Sequence, residues 1–466
     1  MRHPKKTTIR LVFDSSAEFS GVSLNKTLLQ GPDQMNSLLG ILLRFRVGQV
    51  AVMGDVEQMF HNFHVNPDHR NYLRFLWFSD NNPERPIVDH RMNVHLFGNI
   101  SSPAIATFGI RMAVTDANAP CDDDVSEFVC RDFYVDDGLT SQPDAEAAIS
   151  LLRRTRDALA RKKLRFHKIV SNSKEVMNEL PEESRAKDLQ QLDLNHDTLS
   201  TQRSLGVLWS LERDVFTFIV DLPEKPFTRR GVLSIASSIF DPLGFVTPVT
   251  IEGKLILREL MAEMKKETNT PKDVWDRPLP ERYLPRWNRW RESLHKLQDV
   301  QIQRCYEPRG FDQSKRREVH IFCDASQLAI GAVAYLRLLN QRNEPHVAIL
   351  MAKAKVTPSH AVSIPRLELC AAVLATRLSQ TLKTELRNRI VIDRTSFYSD
   401  SKVVLGYIAN ESERFHIYVA NRVHKIHLAS SPSQWHHMPT WQNPYGSRLQ
   451  NSCSRGTEWH TLVPWT

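Results

Sequence analysis

The order of apolar and polar residues along the chain predicts a protein that mixes helices and strands. Apolar residues at helical spacing predict helices over 37–45, 102–114, 144–163, 366–386 and 401–409. Short apolar runs between turn residues predict strands over 9–13, 91–97, 128–135 and 138–140, and a strand that continues into a helix over 49–60. After Glu318 the pattern predicts a hairpin (318–322 and 330–336) and further strands over 347–352 and 395–399. Strands that alternate with helices in this way indicate a compact α/β or α+β domain.

Composition and charge narrow the class of protein. The 466 residues suggest roughly three domains, and 41% hydrophobic with 24% charged residues is typical of a globular chain. The formal net charge of +8 permits an anionic partner without requiring one. No apolar run is long enough for a membrane span, and no signal peptide is evident. The six cysteines form no C-x-x-C pair, which argues against a disulfide framework or zinc knuckle. The sequence contains no P-loop motif, which argues against ATP-driven motor chemistry.

Two sets of acids could hold divalent cations. Asp55 follows the apolar run 50–54, and Asp136 and Asp137 lie at a predicted hairpin turn. Asp324 and Asp400 each follow a predicted strand, and Glu368 lies near the start of a long helix. Carboxylates that converge repel one another unless cations lie between them, and Mg²⁺ prefers such oxygen ligands. Taken singly, the Asp-Asp pair equally fits a solvated turn, and a strand-end Asp equally fits a helix N-cap.

Residues 153–168 contain eight basic side chains and one acid, Asp157. A solvated helix face and a contact with a phosphate backbone both fit this pattern.

Several short motifs occur in an order that resembles the pol region of LTR retrotransposons, closest to the BEL/Pao group. They include Asp55-Val56-Glu57-Gln58-Met59-Phe60, Phe97-Gly98, Ser101-Ser102-Pro103-Ala104, Tyr134-Val135-Asp136-Asp137 and Asp241-Pro242-Leu243-Gly244. The resemblance implies an α+β fold: right-hand polymerase fingers and palm over 1–170, then a primer-grip, thumb and connection-like region with a linker over 171–315. An RNase H-like α/β domain over 316–445 and an aberrant tail over 446–466 would follow.

The resemblance also implies roles for individual residues. Asp55, Asp136 and Asp137 would be the metal-binding catalytic acids of an RNA-directed DNA polymerase, and Asp324, Glu368 and Asp400 those of the RNase H-like domain, each site holding two Mg²⁺ or Mn²⁺ ions. Contacts with the incoming dNTP would fall to Lys5, Lys6, Arg10, Phe60, Gly98, Ser102, Pro103 and Lys168. Leu205, Gly206 and Trp209 would belong to the primer grip. The implied partners are dNTPs, an RNA or DNA template-primer and an RNA–DNA hybrid, with no membrane.

The sequence departs from the family near its end. Trp435, Pro439 and Thr440 match the last RNase H motif, but Tyr445-Gly446 stands where Ala-Asp is expected. Without that fourth acid, occupancy of one metal position is expected to weaken, so RNase H activity is left unassigned. The region would be a polyprotein fragment, since no protease or integrase motif occurs and the fingers are incomplete. The family works in cytoplasmic particles, but location and oligomeric state stay open. Two alternatives remain: an inactive retroelement relic that at most binds nucleic acid, and a host-recruited structural protein.

Overall fold

The structure is a computed structural model that describes residues 13–117, 120–186, 191–193, 206–264, 275–311, 314–358, 362–410 and 414–443. The chain divides into two compact units. Unit 1 comprises Met1–Ile41 and Val50–Asp188, and unit 2 comprises Leu42–Gln49 and Leu189–Thr466. Residues 9–12 of the first predicted strand lie outside the described residues. No helix of the described residues is long and apolar enough to cross a membrane.

Unit 1 is built on a four-stranded antiparallel sheet. The elements of its chain are α1 (Leu24–Thr27), the start of α2 (Leu38–Arg44), β1 (Val50–Val56), β2 (Arg74–Phe78), β3 (Ile87–Arg91), α3 (Ser102–Thr115), α4 (Asp123–Arg131), β4 (Phe133–Tyr134), β5 (Asp137–Gln142), α5 (Ala145–Ala160), β6 (Phe166–Ser171) and α6 (Lys174–Glu179). The sheet order is β4-β5-β1-β6, with β2 and β3 forming a separate ribbon. Apolar faces of α3, α4 and α5 pack with the sheet around one core that includes Val52, Phe128 and Leu151. Asp144 begins α5 by accepting a hydrogen bond from the Ala147 backbone nitrogen.

Two predicted strands of unit 1 are wrong. Residues 123–131 form α4, not the strand predicted over 128–135, because Val125, Phe128 and Val129 bury one helical face behind an acidic first turn. The strand predicted over 91–97 is also misplaced. The observed strand, β3, covers Ile87–Arg91 and overlaps the prediction only at Arg91. All residues of β3 are exposed, so the ribbon lacks the buried alternation that makes a strand recognisable.

Unit 2 contains two sheets. Its elements are β7 (Gln191–Asp193), β8 (Gly206–Ser210), β9 (Val215–Ile219), α7 (Arg229–Ser237), α8 (Thr247–Met264), α9 (Leu284–Ser293), β10 (Ile302–Gln303), β11 (Arg316–Ala325), β12 (Ala329–Leu339), β13 (Pro345–Val356), α10 (Ile364–Glu385), β14 (Arg394–Ser399), α11 (Lys402–Ala409), α12 (Ile417–His427) and β15 (Trp435–His437). The sheet orders are β10-β9-β8-β7 and β13-β12-β11-β14-β15. In the second sheet, β14 runs parallel to β11 and β15, and the other pairs are antiparallel. The predicted hairpin, the strands over 347–352 and 395–399, and the helix over 366–386 are all present.

Two buried arginines tie residues 42–49 into unit 2. The Arg304 guanidinium contacts Asp214 at 2.7 Å and donates to the carbonyl oxygens of Phe45 and Gly48 at 2.7 and 2.9 Å. The Arg46 guanidinium donates to the carbonyl oxygens of Arg304 and Ile349 at 2.9 and 2.8 Å. Buried guanidinium groups with satisfied donors stabilise a unique arrangement, because any alternative would leave charge without partners.

The Asp241-Pro242-Leu243-Gly244 turn joins α7 to α8 and contacts β13. The Asp241 carboxylate accepts hydrogen bonds from the backbone nitrogens of Phe245 and Val246 at 2.9 and 2.7 Å, which satisfies donors at the approach to α8. Gly244 has φ of +76°, and a Cβ there would lie 1.8 Å from the Ala352 carbonyl oxygen. Only glycine fits this position.

We therefore expect Gly244→Ala to destabilise unit 2 by at least about 2 kcal/mol, since it combines backbone strain with a backbone clash. Denaturant unfolding followed by circular dichroism measures the change. Gly406→Ala is the matched control, because a Cβ at Gly406 in α11 meets nothing within 4 Å and alanine favours helix. Equal stability of Gly244→Ala and the wild type would contradict the packing described for this turn.

Candidate functional site

Strand pairing in unit 1 brings the first set of acids together. Asp55 on β1 lies opposite Asp137 on β5 in the antiparallel register. Tyr134 pairs with Asp137, so Val135 and Asp136 form the tight turn between β4 and β5. The Val56 backbone nitrogen donates to the Asp136 carbonyl oxygen at 2.9 Å, which fixes the turn against β1. The convergence that the sequence predicts for Asp55, Asp136 and Asp137 is therefore present at the level of the backbone.

The turn is held in an unusual conformation. Val135 has φ of +56°, a left-handed value that is costly for a β-branched residue. Such strain persists only where surrounding structure enforces it, and it concentrates at functional turns. Here the pairing of β4 with β5 on one side and the Val56–Asp136 hydrogen bond on the other enforce it.

The electrostatics of this acid set are unfavourable without a cation. Burial, together with the neighbouring Asp136 and Asp55, raises the pKa of Asp137 to about 8 against the opposing effect of Lys168. The Lys168 ammonium contacts the Asp55 carboxylate at 2.5 Å, and His167 Nε2 lies 3.7 Å from the other oxygen. Burial lowers the pKa of His167, so the charge that neutralises Asp55 comes from Lys168.

The predicted dNTP contacts occupy varied environments. The Phe60 ring packs edge-on against Phe97, with ring centroids 5.5 Å apart. Gly98 has φ of +102°. Ser102 is buried and donates to the Leu96 carbonyl oxygen at 2.5 Å, so its hydroxyl orders the loop before α3. Pro103 lies in the first turn of that helix. Their contacts with a nucleotide stay predictions, and Lys5, Lys6 and Arg10 lie outside the described residues.

The predicted primer-grip segment forms the β8–β9 hairpin of unit 2, with Gly206 opposite Ile219. Trp209 is fully buried. Its ring packs edge-on against Phe45 at 4.9 Å, and its Nε1 donates to Asp214 at 2.9 Å. Trp209 is therefore a core residue of the hairpin in this structure. Leu205 lies outside the described residues, and the primer-grip assignment stays a prediction.

The second acid set converges more closely. Asp324 lies near the end of β11 and Asp400 directly follows β14, so continuing the parallel Phe322–Tyr398 register by two residues brings the two acids side by side. Glu368 lies in the second turn of α10, which packs on β11 and β12 of this sheet. One ligand oxygen from each of the three acids lies within 4.8 Å of the others. Within the described residues, no other group of three or more His, Cys, Asp or Glu side chains is this compact.

The second site fits a divalent cation. Glu368 Oε2 and Asp400 Oδ1 are buried, and neither accepts a hydrogen bond from any described residue. Burial raises the pKa of Glu368 to about 8, with Asp400 and Asp324 adding to the effect. Burial and Asp400 raise the pKa of Asp324 to about 6. Buried carboxylate oxygens without donors are what a hard cation would coordinate.

Sequence reasoning missed one polar contact in this site. The Thr440 hydroxyl donates to Asp400 Oδ2 at 2.6 Å, which leaves only Oδ1 of that carboxylate without a donor. The signal was available, because Thr440 belongs to the motif that ends the RNase H resemblance, yet only its acids were assigned roles. The Tyr445-Gly446 replacement lies outside the described residues.

The fold is similar to that of solved reverse transcriptase structures. A foamy viral protease–reverse transcriptase (dRH) in complex with double-stranded DNA is similar with a TM-score of 0.53 and 14% identity, covering 92% of this chain and 62% of that chain. The same type of foamy viral protein in complex with an RNA/DNA hybrid gives a TM-score of 0.50 and 13% identity, covering 91% and 48%. The chain thus spans about half to two thirds of the length of these relatives.

Residues 228–401 match the family model of the Pao retrotransposon-like RNaseH-like domain. This match and the shared fold confirm the predicted resemblance to a Pao-type retrotransposon pol region. The match starts within the segment assigned from sequence to the thumb and connection. A comparison with curated protein sequences finds no match.

The raised pKa of Glu368 gives a testable pH dependence. A carboxyl with a folded-state pKa of about 8, against an unfolded value of 4.5, contributes stability below about pH 4.5 that is lost as pH rises through 8. We expect the unfolding midpoint of the metal-free wild type to fall over this window and that of Glu368→Gln to fall less. Mg²⁺ should restore the midpoint of the wild type above pH 7.

Glu292→Gln, which changes an exposed acid of α9, is the matched control and should follow the wild type. Identical pH profiles of Glu368→Gln and Glu292→Gln would show that Glu368 is not held in a charge-repelling site.

Proposed function

We propose that the chain is an RNA-directed DNA polymerase of an LTR retrotransposon that also carries an RNase H-like domain. The observation that carries the proposal is the pairing of Asp55 with Asp137 beside the strained turn at Val135, where burial and then repulsion from the neighbouring acids raise the pKa of Asp137 to about 8. Acids gathered against their own repulsion are typical of sites that bind cations. The polymerase motifs Asp55–Phe60 and Tyr134–Asp137 occur in the same unit.

In the proposed reaction the primer 3′-oxygen forms a bond to the α-phosphorus of a dNTP, and the bond from that phosphorus to the bridging oxygen breaks, releasing pyrophosphate. Asp55, Asp136 and Asp137 would hold the Mg²⁺ ions. When bound, these ions would favour deprotonation of the 3′-hydroxyl and neutralise charge on the phosphate. Lys168, now paired with Asp55, is the group that we assign to protonate the leaving pyrophosphate.

Other assignments follow the right-hand description of such polymerases. Unit 1 would supply palm and fingers, and the region between it and the RNase H-like domain would supply the thumb and connection. Phe60, braced by Phe97, would exclude a ribose 2′-hydroxyl because a rigid ring fills that volume. The template-primer and dNTPs would be the partners.

The RNase H-like triad supports a second activity, cleavage of the RNA strand of an RNA–DNA hybrid. Asp324, Glu368 and Asp400 would hold the cations, and Thr440 would orient Asp400. Proteins recognise such hybrids through shape and 2′-hydroxyls. The competing proposal is an inactive relic, which would bind nucleic acid with strong salt dependence and catalyse nothing.

Primer extension tests the polymerase proposal. We expect the folded chain to extend oligo(dT) on poly(rA) with Mg²⁺ or Mn²⁺, and Asp136→Asn to lower the rate by about 100-fold or more, because even indirect supports of metal ligands cost 10–100-fold. Asp123→Asn makes the same chemical change at an exposed position of α4 and should retain the wild-type rate. A folded wild-type chain that extends no primer would refute the polymerase and favour the relic.

Hybrid cleavage tests the RNase H-like triad separately. The chain with Asp136→Asn should cleave the RNA strand of a labelled hybrid with Mn²⁺, and adding Glu368→Gln should abolish that cleavage, since one of three convergent ligands is then neutral. Adding Glu292→Gln instead should change nothing. Cleavage that survives Glu368→Gln would assign it to another site or a contaminant.

A further inference from the structure

A groove with a volume of about 340 Å³ lies at the carboxyl end of α5 in unit 1. Its lining combines side chains from the last turns of α5 with the segment that leads into β6: Arg153, Arg156, Asp157, Lys163, Arg165 and Phe166. Four of these side chains are basic and one is acidic, so the groove carries a net positive charge. This part of the chain corresponds to the basic tract of the sequence.

The basic residues of this tract divide into two groups with different partners. Arg154 pairs with Asp122 and Asp124 at 2.6 Å, Lys162 pairs with Asp116 at 2.6 Å, and Arg161 contacts Cys121 Sγ at 3.3 Å. These three lie outside the groove, and the fold itself supplies their contacts.

The basic side chains that line the groove have fewer hydrogen-bond and ion-pair partners. Among the described residues, neither the Arg153 guanidinium nor the Lys163 ammonium has a hydrogen-bond partner or counter-ion, although both are exposed. Among the described residues, the Arg156 guanidinium donates to the neutral Ser184 hydroxyl at 3.1 Å. The Arg165 guanidinium forms an ion pair with the Glu57 carboxylate at 3.1 Å. Within the basic tract, the two cations that have no partner among the described residues, Arg153 and Lys163, therefore line the same concave surface.

The chemistry of the lining selects the ligand. Arginine presents several donors in a planar fork that matches phosphate oxygens, and lysine adds a point charge. The nearby rings and apolar groups are not available for base stacking, since Phe166 and Leu164 are buried in the core. Recognition in this groove would therefore depend on phosphate charge and not on base identity.

The position of the groove favours a nucleic-acid strand over a small polyphosphate. Arg165 lines the groove, and the Glu57 backbone nitrogen donates to the Arg165 carbonyl oxygen at 2.9 Å. Lys168, three residues further along the same segment, reaches Asp55. The short segment 165–168, with a basic side chain at each end, therefore connects the groove with the first acid set, and an extended chain of phosphates can follow such a path.

We propose that this groove is a phosphate-binding site for the backbone of a nucleic-acid strand, separate from the acids Asp55, Asp136 and Asp137. The inference goes beyond the proposed activity, because binding here requires neither catalysis nor a divalent cation. Its test therefore omits both dNTPs and metal.

Fluorescence anisotropy of the full chain with labelled oligo(dT) of about 20 nucleotides, longer than common single-strand site sizes, provides the measurement. We expect Arg153→Gln with Lys163→Gln to weaken binding about tenfold at low salt and to lower the salt slope by about 1.4, twice the 0.7 per single-strand phosphate contact. Arg161→Gln with Lys162→Gln is the matched control: it removes the same charge from the same helix end, outside the groove. Basic side chains near a helix carboxyl terminus also stabilise the helix. The control variant removes two such side chains, so it accounts for any effect of this kind on stability.

Asp157→Asn is a second variant that tests the groove in the opposite direction, since removing its one acid should tighten oligo(dT) binding about twofold, with circular dichroism showing that each variant is folded. Equal weakening by the two double variants would reduce the effect to net charge and overturn the site. Absence of oligo(dT) binding by the wild type would do the same. Calorimetry with inorganic tripolyphosphate distinguishes the ligand source: if the groove variant loses tripolyphosphate but keeps oligo(dT), the strand assignment is wrong.

Discussion

Repulsion between carboxylates is the constraint around which both candidate sites are built. Asp137 and Glu368 have pKa values raised to about 8 because each is buried beside two other acids. Such an arrangement costs folding free energy unless a cation or proton compensates it. Rigid elements hold the acids together despite this cost. They are paired strands in one site, and the ends of two parallel strands with the start of a helix in the other. The rest of each unit supplies the packing that keeps these elements in place.

The two sites compensate the repulsion differently in this structure. In unit 1 a lysine from the same sheet, Lys168, contacts Asp55. In unit 2 the three acids lie near one another with buried oxygens that accept no hydrogen bond from described residues, and a hydroxyl from Thr440 contacts the third acid. The first site is therefore partly neutralised by its own chain, whereas the second depends more on a cation from solution.

How much the sequence predicts depends on how much of each element is buried. The hairpin of β11 and β12 and the helix α10 were predictable because their apolar residues follow one period over many positions. The exposed ribbon of β2 and β3 was not, and α4 was mistaken for a strand because its apolar residues cluster within five positions. The acids themselves could be named as candidates from the sequence, and their roles stay predictions. The Lys168–Asp55 pair and the Thr440–Asp400 hydrogen bond depend on tertiary contacts that no local pattern encodes. The same holds for Trp209. Its place in the core depends on packing against Phe45, which is distant in sequence, and on a hydrogen bond to Asp214 in the adjoining turn.

The contact between the Gly244 turn and β13 has a consequence for modular inheritance. The Ala352 backbone nitrogen donates to the Leu243 carbonyl oxygen at 2.8 Å, so a segment upstream of the RNase H-like sheet completes the hydrogen bonding of its outer strand. A recombination breakpoint between 264 and 316 would separate these partners and expose a strand edge able to pair with other chains. Exchange of this domain between elements should therefore succeed only when the turn travels with the sheet, which agrees with a family match that begins at residue 228.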